Sequence, residues 1–367
     1  MTADLSRVER VRRRCAHLGG LVVSDASNIR WLTGFTGSSG VLVVAHDQVV
    51  LVTDGRYGLQ ATEQIARAGV DCTVAVASSV PAMLDEFAAR CRAIDGPLGF
   101  EADHVSVTVH EQWRSAIGRE LVAVRGVVEE ERRTKDATEV ALIARAAAIA
   151  DAALGEIGPS IVAGVTEAQL RNRLELRMRE MGASGPSYDT IVAAGPHNSA
   201  LPHHRPTDYV LRDGDTVVID VGALVEGYHS DMTRSFVVGG ASAHQREMYD
   251  LVLESQRAGL AAVRPGAPAA AIDAACRGVL EAAGVGEWFS HGTGHGVGLL
   301  IHEEPFLGRT SSAVLREGDV VTVEPGVYRE GFGGIRIEDL VLVTDVGCRS
   351  LTASPKDDPC PPSPPTI

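Results

Sequence analysis

Over residues 1–127 two hydrophobic rhythms alternate. GLVVSD, GVLVVA, QVVLVTD and CTVAVA are short valine-rich runs, which predicts strands, while ATEQIARAG and VPAMLDEFAARCRAI place their apolar residues at a helical period. Such alternation predicts an α/β unit. GFTGSSG, residues 34–40, is a glycine/serine loop between elements; no lysine follows and no helix opens there, so it is not a phosphate cradle. A charged stretch, VVEEERRTKDATEV, then divides the chain. From Asp136 the period becomes helical, with Val140, Ile143, Ala147 and Leu154 near one face. TEAQLRNRLELRMREMG predicts a second helix with Gly182 as its C-cap. Beyond it TIVAAG, TVVIDVGAL, TRSFVVGG, VVTVEPGVY and GGIRIEDLVLVT predict strands, and AHQREMYDLVLESQRAGLAAV and APAAAIDAACRGVLEAAG predict helices. The second half is therefore expected to be α+β with largely antiparallel strands. Six prolines among the last sixteen residues predict a disordered tail. The expected division is 1–127, 128–351 and a tail over 352–367.

Composition narrows the class. A chain of 367 residues, 45% hydrophobic and 22% charged, is long enough for two domains with real cores, which excludes a disordered chain or a fibre. The net charge of −14, with lysine only at Lys135 and Lys356 and no basic patch, disfavours a nucleic-acid partner. The apolar run from Leu18 to Val23 is too short for a secretory signal, and no run is long enough to span a membrane. Cys15, Cys72, Cys91, Cys276, Cys348 and Cys360 form no C-x-x-C pair and are expected to be reduced thiols in a cytoplasmic protein.

The chemistry is carried by acids inside apolar strands. Asp220 interrupts TVVIDVGAL, Glu324 interrupts VVTVEPGV, Glu338 lies in GGIRIEDLVLV, and Asp231 lies in the next strand-like stretch after Asp220. A buried carboxylate must be neutralised, paired or metal-bound. One such acid is usually a satisfied structural residue; four call for a common explanation. Their charge of −4 matches two divalent cations, whereas Arg336 offsets only one of them. The eleven-residue spacing of Asp220 and Asp231, with Gly222 and Gly227 between, allows a hairpin that brings both side chains to one site. Oxygen-dominated ligation with an imidazole suits Mn²⁺, Co²⁺ or Fe²⁺ better than a thiolate-type zinc site. His291 and His295 stand four apart in SHGTGHGVG, but the alternating glycines oppose a helical zinc motif and predict a loop or strand with close backbone approach. With four acids to coordinate, His295 becomes a ligand candidate. His203 and His204 in SALPHHRP, and His302 beside Glu303 and Glu304, are imidazoles able to donate to a developing oxyanion.

These motifs resemble the M24 metallopeptidases of the pita-bread fold. TIVAAGPHNSALPHH, VVIDVGALVEGYHSDMTRSF, HGTGHGVGLLIHEEP, VVTVEPGVY and GGIRIEDLVLVT follow one another in family order between about Asp136 and Leu351. NIRWLTGFTGSSG and VTDGRY are similar to the creatinase-type N-terminal domain of the proline-specific branch. The resemblance implies an α+β architecture, a C-terminal pita-bread (creatinase/aminopeptidase-like) domain preceded by a smaller α/β creatinase-type N-terminal domain. It implies metal ligands Asp220, Asp231, His295, Glu324 and Glu338, with His203, His302 and Glu324 catalytic and His291 and Arg336 in the substrate pocket. Two divalent ions are implied, Mn²⁺ before Co²⁺, Zn²⁺ or Fe²⁺, with a bridging hydroxide attacking the bond before a proline. Proline-containing peptides would be the substrates and a homodimer the assembly. Several prolidases carry an arginine directly after H-E-x-P to hold a dipeptide carboxylate; here that position is Phe306, with Arg309 the nearest arginine. This favours an Xaa-Pro aminopeptidase, with an Xaa-Pro dipeptidase as the alternative and a non-catalytic pita-bread binding protein as a further one. The complete ligand set opposes that binding protein, and also a metal-free creatinase.

Overall fold

The computed structural model describes residues 6–361, and the chain divides into two compact units, Met1–Arg132 and Arg133–Ile367. In the first, β1 (Gly20–Val23), β2 (Val41–Ala45), β3 (Val49–Asp54), β4 (Thr73–Ala77), β5 (Leu98–Glu101) and β6 (Val122–Val124) form one sheet in the order β4-β3-β2-β1-β5-β6. The β1–β2 and β2–β3 pairs are antiparallel and the outer pairs parallel. Helix α1 (Val80–Arg92) starts at Ser79, whose hydroxyl accepts from the Ala82 N–H; with α2 (Val107–Ile117) it packs Phe87 and Trp113 onto the valines of the sheet. The α/β expectation holds here. The helix α2 and a short helix inside the charged stretch, Val127–Arg133, were not foreseen, because neither shows a clean apolar period.

The second unit holds the longer helices, and capping boxes start three of them. Asp136 with Glu139 opens α3 (Ala137–Ile157), Thr166 with Gln169 opens α4 (Glu167–Glu180), and Ser242 with Gln245 opens α5 (Ala243–Ala262). Gly182 ends the second of these in the left-handed region, φ 100°. A further helix, α6 (Ala269–Ala282), lies against α5. One sheet is β9-β8-β7, built from β7 (Ile191–Ala194), β8 (Thr216–Asp220) and β9 (Thr233–Val237). A larger one runs β11-β10-β12-β15-β16, built from β10 (Gly294–Gly296), β11 (Glu303–Leu307), β12 (Val320–Val323), β15 (Asp339–Val343) and β16 (Cys348–Ser350). Between β12 and β15 in sequence, a hairpin pairs β13 (Gly326–Arg329) with β14 (Gly333–Arg336). All these pairs are antiparallel, as expected. One core joins α3 and α4 to the first sheet, and a second joins α5 and α6 to the other.

Two readings from sequence are corrected. VVTVEPGVY and GGIRIEDLVLVT are each two strands rather than one, broken at Glu324–Pro325 and at Ile337–Glu338. Proline cannot donate to a ladder, so the first break is chemical; at the second, the Glu338 N–H leaves its own sheet to donate to the Thr233 carbonyl at 3.1 Å. The disordered tail expected over 352–367 is packed through Pro361, while 362–367 lies outside the described residues. Its backbone finds partners: Asp151 accepts from the N–H groups of Ala353 and Ser354 at 2.8 Å each, and Pro359 accepts from Val237 at 2.7 Å. Composition registers prolines but not such lateral partners.

All six cysteines are free, and burial pushes the Cys91 and Cys276 thiols up to about 12. Among the described residues no helix is long and apolar enough to cross a membrane. Arg133 and Asp319 form a buried bidentate pair at 3.0 and 2.7 Å. Asp319→Ala leaves that guanidinium unpaired and is expected to cost about 3–5 kcal/mol, read as a fall in the urea midpoint; an unchanged midpoint contradicts the role given to the pair.

Candidate metal centre

The acids gather between the three-stranded and five-stranded sheets described above. Asp220 ends β8 and lies opposite Thr233 of β9, and Asp231 stands two residues before that strand. Ligand atoms of Asp220, Asp231 and Glu338 all lie within 4.8 Å of one another. From the other sheet, His295 sits in the middle of β10, with its Nε2 3.5 Å from an Asp231 oxygen and 3.4 Å from a Glu324 oxygen. Gly294 and Gly296 flank it for a steric reason. A Cβ at either would stand 2.1 Å from the Thr322 carbonyl or 2.4 Å from that of Glu304, so only glycine lets these strands close on His295. The expected close approach is thus a strand.

The supporting bonds orient each group. The His295 Nδ1 faces the Gly296 carbonyl at 3.0 Å. A carbonyl only accepts, so Nδ1 carries the proton and Nε2 turns its lone pair toward Asp231 and Glu324. Thr322 donates to Glu324 at 3.1 Å and accepts from the His295 N–H at 3.0 Å. Thr233 donates to one Glu338 oxygen at 2.7 Å, while the other, Oε1, is buried with no hydrogen-bond partner. A lone pair and an orphaned carboxylate oxygen aimed into a group of acids fit a cation, so the residues present suit divalent metal.

Electrostatics agree. Burial first, then the neighbouring acids, push Asp231 and Glu338 well above the ordinary carboxylate range. Arg336 donates to Asp220 at 2.6 Å, and also to Thr233 at 2.9 Å, the Pro202 carbonyl at 3.1 Å and Tyr328 at 2.8 Å. One guanidinium cannot balance the cluster.

A cavity of about 450 Å³ opens onto the site, lined by Asp220, Asp231, His295 and Glu324 together with His203, His291, His302, Arg336 and Phe306. Glu338 lies beneath it, 1% exposed. The His302 ring meets His295 edge-on, centroids 4.4 Å apart, and burial with the neighbouring His295 holds its pKa below the usual imidazole value. Burial lowers His291 as well; its Nε2 bonds the Tyr328 hydroxyl at 2.9 Å. His204 is spent elsewhere, 3.0 Å from buried Glu167. Glu303 pairs with Lys135 at 3.1 Å. Sequence reasoning missed Tyr188, whose hydroxyl touches both Asp220 and Asp231, and the supporting hydroxyls of Thr233, Thr322 and Tyr328. Tyr188 lies in PSYDTIV, 28 residues before the nearest acid-bearing strand, Thr216–Asp220, and carried no signal in the sequence.

Comparison with known proteins gives the same picture. A model described as metallopeptidase family M24 matches residues 141–345, and one described as creatinase/prolidase N-terminal domain matches 7–134. A solved Xaa-Pro dipeptidase from Bacillus anthracis is 38% identical, with a TM-score of 0.92 over 96% of this chain and 98% of its own. The Xaa-Pro dipeptidase of Pyrococcus horikoshii is 33% identical over 93% of this chain and 94% of its own. A solved X-Pro aminopeptidase from Thermotoga maritima is 33% identical, with a TM-score of 0.88 over 96% of this chain and 99% of its own.

The raised carboxyls set a sign. A group whose folded pKa lies above its unfolded value contributes stability that is present below the unfolded pKa and lost as pH rises through the folded one. Asp231 and Glu338 therefore weaken the metal-free protein as pH climbs above the ordinary carboxylate range. The gain in melting temperature on adding Mn²⁺ to chelator-treated protein is expected to be larger at pH 8 than at pH 5. An equal or smaller gain at pH 8 contradicts the assignment.

Proposed function

The chain belongs to metallopeptidase family M24, a family of metal-dependent hydrolases, and we propose that it acts as an Xaa-Pro dipeptidase. The orphaned Glu338 oxygen among Asp220 and Asp231, below a cavity lined by four imidazoles, supports this reading. Asp220, Asp231, His295, Glu324 and Glu338 would hold two divalent ions, Mn²⁺ being our choice because the donor set is mostly carboxylate oxygen. When bound, such ions polarise a carbonyl and activate water.

The rest falls to the chain's own groups. Glu324, oriented by Thr322, is placed to take the proton of the attacking water. His302, kept neutral, can donate from its ring to the oxygen that gains charge at the scissile carbonyl, and His203 lines the same cavity. Arg336 holds Asp220, and with Tyr328 it fixes His291 at the cavity wall.

Phe306 pointed toward an aminopeptidase acting on longer peptides, and the dipeptidase alternative is now the better supported. Full-length relatives named Xaa-Pro dipeptidases outweigh the loss of one arginine. Arg205 also lines the cavity, exposed and paired only with exposed Asp189, so it can meet a substrate carboxylate in place of the residue at 306.

Hydrolysis of an Xaa-Pro dipeptide and an Xaa-Pro-Yaa tripeptide, compared after chelation and after adding Mn²⁺, decides the matter. Metal-dependent cleavage with the dipeptide preferred is expected. A faster tripeptide makes this an aminopeptidase, and cleavage of neither moves the binding protein to the front. Within the same assay, His302→Ala is expected to lower kcat by about 10²–10³. Arg205→Met is expected to raise KM for the dipeptide while sparing the tripeptide; an unchanged dipeptide KM removes Arg205 from the pocket's function.

A further inference from the structure

Beside Glu338 in sequence stands another buried carboxylate, Asp339, which metal ligation leaves unused. It is 3% exposed and accepts four bonds. Arg234 Nη2 reaches Oδ1 at 2.8 Å and Thr352 Oγ1 at 3.1 Å; Gln256 Nε2 reaches Oδ2 at 2.9 Å, joined there by Lys356 Nζ. Arg234 is itself buried and also donates to the main-chain carbonyl of Glu338, to that of Thr233 at 2.9 Å, and twice to that of Ser354, at 3.0 and 2.7 Å. The main chain of Glu338 is thus gripped on both sides: its N–H by Thr233 and its carbonyl by Arg234.

Three members of this network, Thr352, Ser354 and Lys356, come from the proline-rich segment after Leu351. That segment is moored to three other elements. Asp151 of α3 accepts from Ala353 N, Ser354 N and Ser354 Oγ at 2.7–2.8 Å, Tyr249 of α5 donates to the Lys356 carbonyl at 3.1 Å, and Val237 of β9 donates to Pro359. Lys356 also donates to Gln256 at 2.9 Å, which closes the ring of bonds.

We propose that residues 352–361 are a working part of the metal centre, a strap that, through Lys356, Ser354 and Arg234, holds the Glu338–Asp339 main chain where the unpartnered Glu338 oxygen can bind metal. Lys356 and Arg234 are positioning residues. Without Lys356, Asp339 Oδ2 keeps only Gln256, and Arg234 must serve Asp339 with less competition, drawing it from the Glu338 carbonyl. The atom that then loses its place is Glu338 Oε1, which has no hydrogen-bond partner of its own to hold it. This inference rests on reading Glu338 as a ligand.

The test is calorimetric titration of metal-free full-length protein with Mn²⁺, for wild type, Lys356→Met and Lys356→Arg. Loss of a partner that orients a metal ligand weakens metal binding by about 10–100-fold, and that loss is expected for Lys356→Met, with Lys356→Arg restoring most of the affinity. KM for the dipeptide at saturating Mn²⁺ is expected to stay at the wild-type value. Wild-type Mn²⁺ affinity in Lys356→Met overturns the proposal, whatever happens to its melting temperature, since the strap then serves stability alone. If Lys356→Met does not fold, Asp151→Ala, which unties the strap from α3, carries the same expectation and the same overturning result. Should wild type bind Mn²⁺ yet cleave no Xaa-Pro peptide, the substrate reading fails while the affinities still decide this one. A wild type that binds no Mn²⁺ overturns both.

Discussion

Four carboxylates brought together where two apolar sheets meet set the terms for the rest of the catalytic unit. Ionised acids at such a place repel one another and have lost most of their water, and this protein supplies one guanidinium, Arg336, in direct contact with the group. Hydroxyls of Tyr188, Thr233 and Thr322 satisfy some oxygens but bring no charge. The remaining deficit is what divalent ions offset, and it leaves its mark in the buried Glu338 oxygen to which no group among the described residues donates a hydrogen bond.

The same constraint explains where the strands stop. Asp220 is the last residue of its strand, Glu324 and Glu338 fall at breaks, and Asp231 precedes its strand. A ladder residue in mid-strand has its side chain committed to one face, whereas at a strand end the backbone can turn and aim a carboxylate toward neighbours from another sheet. His295 is the exception, in a strand, and glycines on both sides provide the close approach that it needs.

Support for the site reaches far along the chain. The only lysines, Lys135 and Lys356, each pair with a carboxylate next door to a proposed site residue: Glu303 beside His302, and Asp339 beside Glu338. In a chain otherwise basic through arginine, both ammonium groups sit in tight, largely buried places.

Much of this was legible in the sequence because burial and charge conflict locally. Acids inside valine-rich runs, glycines around a histidine and apolar residues at a helical period each state a physical requirement within a few residues, so the α/β and α+β halves, the acids and His295 could be named from the chain alone. What remained hidden depends on contacts between distant segments. Tyr188 meets Asp220 and Asp231 from 32 and 43 residues away, the splitting of GGIRIEDLVLVT follows from a bond between Glu338 and Thr233, and the proline-rich segment after Leu351 is held at Ala353 and Ser354 by Asp151, about two hundred residues before it. Sequence by itself determined which side chains must be neutralised and which local elements form, since those follow from hydrophobic period and the cost of burying charge. Tertiary structure alone decided which partners arrive, because a hydrogen bond across the fold leaves no periodic trace in either of the segments it joins.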